Sequence, residues 1–217
     1  MDGYIVVNLL SSLLIITSLM LLLSKNPGRA AYVYSGQALV LVAIFAVLGF
    51  TTGSEELYTW SITSFFTKVI LVPAIILFAL KKMKAKPQDM PPRFSPALSV
   101  VLVVVEVTLC FFVVNGIELP TALEVKPALA VSLAHFFIGL TCIISQRNIV
   151  KQIFGYCLME NGSHVSLALL APEAPKLVEI GIATDAVLAV AIMAILAVRI
   201  YRSLQTLDSN EITRLKG

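Results

Sequence analysis

The sequence predicts an all-α membrane protein of about seven transmembrane helices, with the N-terminus outside and the C-terminus cytoplasmic. Three observations carry this. Hydrophobic residues make up 58% of the 217 positions and charged residues 13%, where soluble domains average about 45–50% and about 25%. The mean hydropathy is +0.92, as for a chain whose solvent is mostly lipid. Seven apolar runs approach the roughly 20 residues that one helix needs to span a bilayer.

In chain order the predicted spans are 4–24, 30–50, 61–80, 96–115, 128–145, 149–171 and 177–199. Polar punctuation separates them: KNPGRA, TTGSEELYTW, the longer KKMKAKPQDMPPRFS, GIELPTALEVKP, QRN and PEAPK. Connections this short force successive helices to lie antiparallel. The first run is preceded by an acid, Asp2, and its positive charges follow it. A secretory signal has a basic leader instead, so this run reads as a retained first helix.

Basic residues orient the chain. With the N-terminus outside, the inner side receives Lys25, Arg29, Lys81, Lys82, Lys84, Lys86, Arg93, Arg147, Lys151, Arg199, Arg202, Arg214 and Lys216. The outer side receives only Lys126 and Lys176. Cytoplasmic loops carry the excess of Lys and Arg, which sets this orientation and requires an odd number of crossings. The acids Asp2, Glu55, Glu56, Glu118, Glu124, Glu173 and Glu179 are assigned to the outer side.

Four charges remain within the spans: Lys68, Glu106, Glu160 and Asp185. At about 1.5 Å per residue, Glu106 and Glu160 lie roughly 16 Å from the inner end, and Lys68 and Asp185 roughly 20 Å. In a hydrocarbon core about 30 Å thick, all four fall near the midplane. Such residues are expensive in lipid, face protein or water, and mark ion or proton pathways. One reading pairs Lys68 with Glu106 simply to hold helices together. One lysine cannot neutralise three acids, however, so at least one acid is expected to be protonated or to touch water, because desolvation disfavours the charged carboxylate. His164 follows Glu160 by four residues and shares its helix face. His135 lies in the fifth span. Imidazole is the usual proton shuttle near neutral pH, and a helix–helix hydrogen bond is the alternative for either ring. Pro73 frees a backbone carbonyl just after Lys68, and Gly155 and Gly162 flank Glu160 where close helix approach or ordinary packing would use them.

No resident chemistry is evident. Cys110, Cys142 and Cys157 lie in apolar runs with no C-x-x-C pair and no histidine at ligand spacing, and read as buried structural thiols. Phosphate-binding, dinucleotide-binding and zinc-protease motifs are absent from the sequence. No catalytic residue, cofactor, metal or nucleic-acid partner is expected.

From about Ala128 the sequence resembles the K subunit of bacterial complex I (NuoK) and the related small subunit of Mrp-type antiporters. The resemblance rests on the basic turn SQRNIVKQIFG, the acid in GYCLMENGSHVSLALL, the third helix ATDAVLAVAIMAILAVRIYRSL and the tail QTLDSNEITRLKG. Glu160 stands at the family's first intramembrane acid and Asp185 approximately at its second, one carbon shorter. The whole chain, with four further spans in front, looks like hydrogenase-4 component E (HyfE). Three segments follow: 1–94 with three helices, 95–127 with the fourth helix and an outer loop, and 128–217 as the K-subunit-like part with its cytoplasmic tail.

That resemblance implies a non-catalytic subunit in the membrane arm of an energy-converting, group 4 [NiFe] hydrogenase or formate hydrogenlyase-type complex. It implies the prokaryotic cytoplasmic (inner) membrane, and antiporter-like large subunits and other membrane-arm subunits as partners. Proton translocation is expected to use Glu160 as main site, Asp185 as second site, and Lys68, Glu106, His164 and His135 as relay or tuning groups. A small subunit of a cation/proton antiporter, or a scaffold whose charges only fix helix register, are the alternatives.

Overall fold

The computed structural model describes residues 3–83, 90–118 and 123–212. Of the charges used above to orient the chain, Asp2, Lys84, Lys86, Arg214 and Lys216 lie outside the described residues. Among the described residues the long elements are all helices: α1 Gly3–Leu23, α2 Pro27–Thr52, α3 Glu55–Met83, α4 Pro96–Asn115, α5 Lys126–Ser145, α6 Ile149–Leu170 and α7 Lys176–Leu204, followed by the short α8 Ser209–Ile212. Six are long and apolar enough to cross a membrane, which makes this a multi-pass membrane protein. The helix outside that six is α6. It has 22 residues, but Lys151, Glu160, Asn161 and His164 interrupt its apolar character and are shielded by its neighbours.

Helix starts follow from local chemistry. Asn26 caps α2, its Oδ1 accepting from the backbone N–H of Gly28 (2.8 Å) and Arg29 (3.1 Å), with Pro27 in the first turn. Ser54, Ser95 and Asn148 do the same for α3, α4 and α6. These side chains satisfy N–H groups that an α-helix leaves unpaired. Gly53 closes α2 at φ 72°, a left-handed position open to glycine. Glu55 and Glu56 lie in the first turn of α3 and Lys81 and Lys82 in its last, each complementing the helix dipole.

Contacts between the helix ends define two ends of the bundle. At one, Asn8 of α1 meets Glu124 and Ala128 at the start of α5, and Ser54 donates to the Pro172 carbonyl at 2.6 Å. At the other, Gln146 donates to the Leu22 carbonyl at 2.8 Å and Lys151 donates to that of Ser24. Arg93 also joins this second end, its backbone N–H donating to the Ser145 carbonyl at 2.7 Å. Lys25, Arg93, Arg147 and Lys151 therefore lie at this second, basic end.

Two apolar clusters fill the bundle. One lies toward the N-terminal end of α1 and includes Leu41, Phe45, Trp60, Val131 and Val165. The other lies toward the basic end and includes Leu22, Tyr34, Ile76, Phe154 and Val190. Between them sits a layer of buried polar side chains. The tightest helix pair, α5 and α6, holds this layer in register. A Cβ on Gly162 would lie 2.5 Å from the Phe136 nitrogen and 2.8 Å from the Ser132 carbonyl oxygen, and one on Gly155 would lie 2.8 Å from the Ile143 nitrogen. Gly162 faces only backbone, and Gly155 faces backbone together with the Ile143 side chain. Close helix approach is therefore their role.

Candidate functional site

The site begins with an irregularity in α3. Pro73 has no N–H, so the Val69 carbonyl four residues back loses its helical donor. Residues Phe65–Leu71 adopt π-helical spacing instead, with the Val72 N–H reaching the Thr67 carbonyl. The Ser35 hydroxyl of α2 donates to the freed Val69 carbonyl at 3.1 Å. π-Segments of this kind concentrate at functional sites, and this one carries Lys68, which is 1% exposed.

The Lys68 ammonium donates to both Glu160 oxygens (2.7 and 2.8 Å), to Asn161 Oδ1 (2.9 Å) and to His164 Nδ1 (3.0 Å). All three partners come from α6, at positions i, i+1 and i+4 of one face. Two branches leave this centre. On one side, His164 Nε2 lies 2.8 Å from Glu179 Oε2 of α7, although out of line with the ring N–H. Phe45 and Trp60 enclose the imidazole, with centroids at 4.7 and 5.1 Å. On the other side, Asn161 Nδ2 donates to Gln37 Oε1 of α2 (3.2 Å), and Gln37 Nε2 meets His135 Nε2 of α5 (2.8 Å). His135 Nδ1 reaches the Ser18 hydroxyl of α1 (2.6 Å), which itself donates to the Leu14 carbonyl. The result is one connected polar chain, Glu179–His164–Lys68–Asn161–Gln37–His135–Ser18, with Glu160 on its lysine. It runs sideways through six helices between the two apolar clusters.

Proton positions follow from valence. An ammonium only donates, so His164 Nδ1 must be a lone pair and its ring proton must sit on Nε2, toward Glu179. The Ser18 proton is committed to the Leu14 carbonyl. His135 therefore donates from Nδ1 to Ser18 and accepts from Gln37 at Nε2. The His135 assignment satisfies both of its neighbours, and the His164 ring N–H is left on the Glu179 side, out of line with that carboxylate. Among the described residues no cluster of three or more His, Cys, Asp or Glu side chains is arranged to hold a metal ion.

Four of the six residues singled out from the sequence thus meet here: Lys68, Glu160, His164 and His135. Two do not. Glu106 is half-buried on α4 and accepts from Thr141 of α5, so Lys68 pairs with Glu160 and not with Glu106. Asp185 is exposed and faces outward from α7. Gln37, Asn161 and Ser18 escaped notice because they carry no charge, although a glutamine inside SGQALVLV is itself a signal. Glu179, assigned to the outer loop, is 1% exposed within the bundle. Its place within the predicted span 177–199 was the available clue.

Comparison with known proteins converges on one family. The NADH-ubiquinone/plastoquinone oxidoreductase chain 4L family matches residues 127–217. The chain is 51% identical over 219 aligned positions to hydrogenase-4 component E of Escherichia coli K12, and equally to that of Shigella flexneri, covering 100% of both chains in each case. An uncharacterized protein of Mycobacterium tuberculosis is 21% identical, with 94% of this chain and 92% of that one covered. No solved structure matches.

Proposed function

The chain belongs to the hydrogenase-4 component E family, and from that premise we propose that it is a membrane-arm subunit of a complex I-related, energy-converting hydrogenase in a prokaryotic inner membrane, where its buried polar chain passes protons. The metal chemistry resides in other subunits. The partners are the antiporter-like large subunits and other subunits of the membrane arm, and the orientation is N-terminus outside with seven crossings. Family membership favours this over the small subunit of a cation antiporter.

One observation carries the reading: the hydrogen-bonded connection from Glu160 through Lys68 to His164, whose Nε2 lies 2.8 Å from the buried Glu179 carboxylate. A proton on Glu160 is within hydrogen-bond reach of Lys68. Lys68 donates to His164 Nδ1, and the resulting imidazolium releases its Nε2 proton toward Glu179. One proton enters at Glu160 and one arrives at Glu179. His164 then holds its proton on Nδ1, and the relay resets only when the ring gives up that proton and regains one at Nε2. Asn161 and Gln37 are amides, poor proton carriers, and serve to hold Lys68 and His135 in place. Glu106 and Asp185 sit off this chain, on faces suited to partner subunits. Proton translocation by the assembled complex carrying Glu160→Gln tests the reading.

A further inference from the structure

At the basic end, the last turns of α3 and α7 diverge around a groove of about 390 Å³. Its walls are apolar, formed by Phe78, Ala79, Ala194 and Ile195 among others, and Lys82, Arg199 and Arg202 line its mouth. Small residues on both helices make the trough. Among the described residues none of the three cations has a carboxylate partner. Lys82 instead rests 5.9 Å over the Phe78 ring. Among the described residues no acid lines the groove. From Ala191 to Arg202 the lining rises eleven residue steps, roughly 16 Å along the helix, so the groove runs from the headgroup level well into the hydrocarbon region.

We propose that this groove binds an anionic diacyl phospholipid, with its phosphate between Lys82, Arg199 and Arg202 and the upper part of one acyl chain against the alanine-lined trough. Charge complementarity and depth select this occupant. A soluble anion would use the cations but not the trough, and a zwitterionic lipid would use the trough but bring a second, repelled positive charge to the mouth. Basic pockets between helix ends are a recurrent setting for anionic headgroups.

The test is native mass spectrometry of the detergent-purified full chain, titrated with phosphatidylglycerol or phosphatidylcholine. Each basic residue near a membrane surface strengthens anionic-lipid binding about fivefold. The triple variant K82Q/R199Q/R202Q should therefore lose phosphatidylglycerol affinity on the order of hundredfold, while Lys25→Gln/Arg29→Gln should not. Ala191→Phe, on the half-buried wall, leaves every charge in place and should weaken binding of both lipids. Equal binding of the two lipids by the unaltered chain, or a triple variant that keeps its preference, overturns the proposal. A photo-crosslinking residue at Phe78 in the assembled complex should capture phospholipid. Capture of polypeptide there assigns the groove to a partner helix and likewise overturns it.

Discussion

Lys68 Nζ and His164 Nδ1 lie 3.0 Å apart, and this contact determines where the imidazole proton resides. A lysine ammonium has no lone pair, so the ring must accept at Nδ1 and present its N–H at Nε2, where Glu179 waits at 2.8 Å. The π-helical segment that Pro73 imposes is what places the lysine for this contact, and Ser35 repairs the carbonyl that the distortion frees.

Nitrogen-15 NMR of the full chain in detergent should accordingly find His164 neutral with Nε2 protonated. In Lys68→Met the constraint on Nδ1 vanishes, and the ring should sample both tautomers. A ring protonated at Nδ1 in the unaltered protein would break the proposed relay.

Topology is checked by labelling single cysteines in intact cells. Cysteines at Glu55 or Glu56 should react with an impermeant reagent added outside, and a cysteine at Lys84 should react only after the membrane is opened. Both loops reacting from the same side would remove the alternating arrangement on which the depth of every buried charge depends.

The α5–α6 contact should be intolerant of added bulk at Gly162. Alanine there would set a methyl carbon 2.5 Å from the Phe136 nitrogen, which forces backbone to move. Overpacking of this kind costs about 1–3 kcal/mol, so thermal denaturation in detergent should shift downward. Gly36, with open space around its ideal Cβ, is the control and should accept alanine.

Much of this was readable in the sequence. Lys68, Glu160, His164 and His135 stand out because polar groups inside apolar runs are expensive and must be partnered. Counting residues gives an expected depth for Lys68, Glu106, Glu160 and Asp185 but not a rotation about the helix axis, and only packing shows that Glu160 points inward and Asp185 outward. Low contrast between helix faces explains why. With lipid on one side and apolar protein on the other, a residue such as Leu carries no signal of which way it faces. Hydropathy also read the third span as 61–80, whereas the helix runs Glu55–Met83. Ser54 caps it in polar sequence that hydropathy excludes.

Outside the membrane, Asp208 fastens the C-terminal tail to the turn before α6. Arg147 donates to its carboxylate, Ser209 N–H donates to the Arg147 carbonyl at 2.8 Å, and Arg93 reaches Ser209 and Asn210. Burial pushes the Asp208 carboxyl up, but the hydrogen bonds from Arg147 and the Asn210 N–H outweigh it, so the group sits below its ordinary 3.8. A depressed folded value means that the stabilisation is present above pH 3.8 and is lost as pH falls through the lower folded value. Asp208→Asn should lower thermal stability slightly at pH 7, by about 0.2–1 kcal/mol. The gap from the unaltered chain should close in strong acid. A gap that persists there would assign the effect to shape rather than charge.

The central claim is that Glu160 gains and loses a proton during turnover, and the proton-to-hydrogen ratio of the assembled complex carrying Glu160→Gln tests it most directly. Glutamine keeps the size and one carbonyl acceptor for Lys68, so the complex should assemble and continue to evolve hydrogen. It has no carboxyl to protonate, so translocated protons per hydrogen should fall. Glu160→Asp should be milder, since it retains the carboxyl and moves it by about one bond. An assembled Glu160→Gln complex that pumps at the wild-type ratio would contradict the account and leave Lys68 and Glu160 as a pair that only holds α3 against α6.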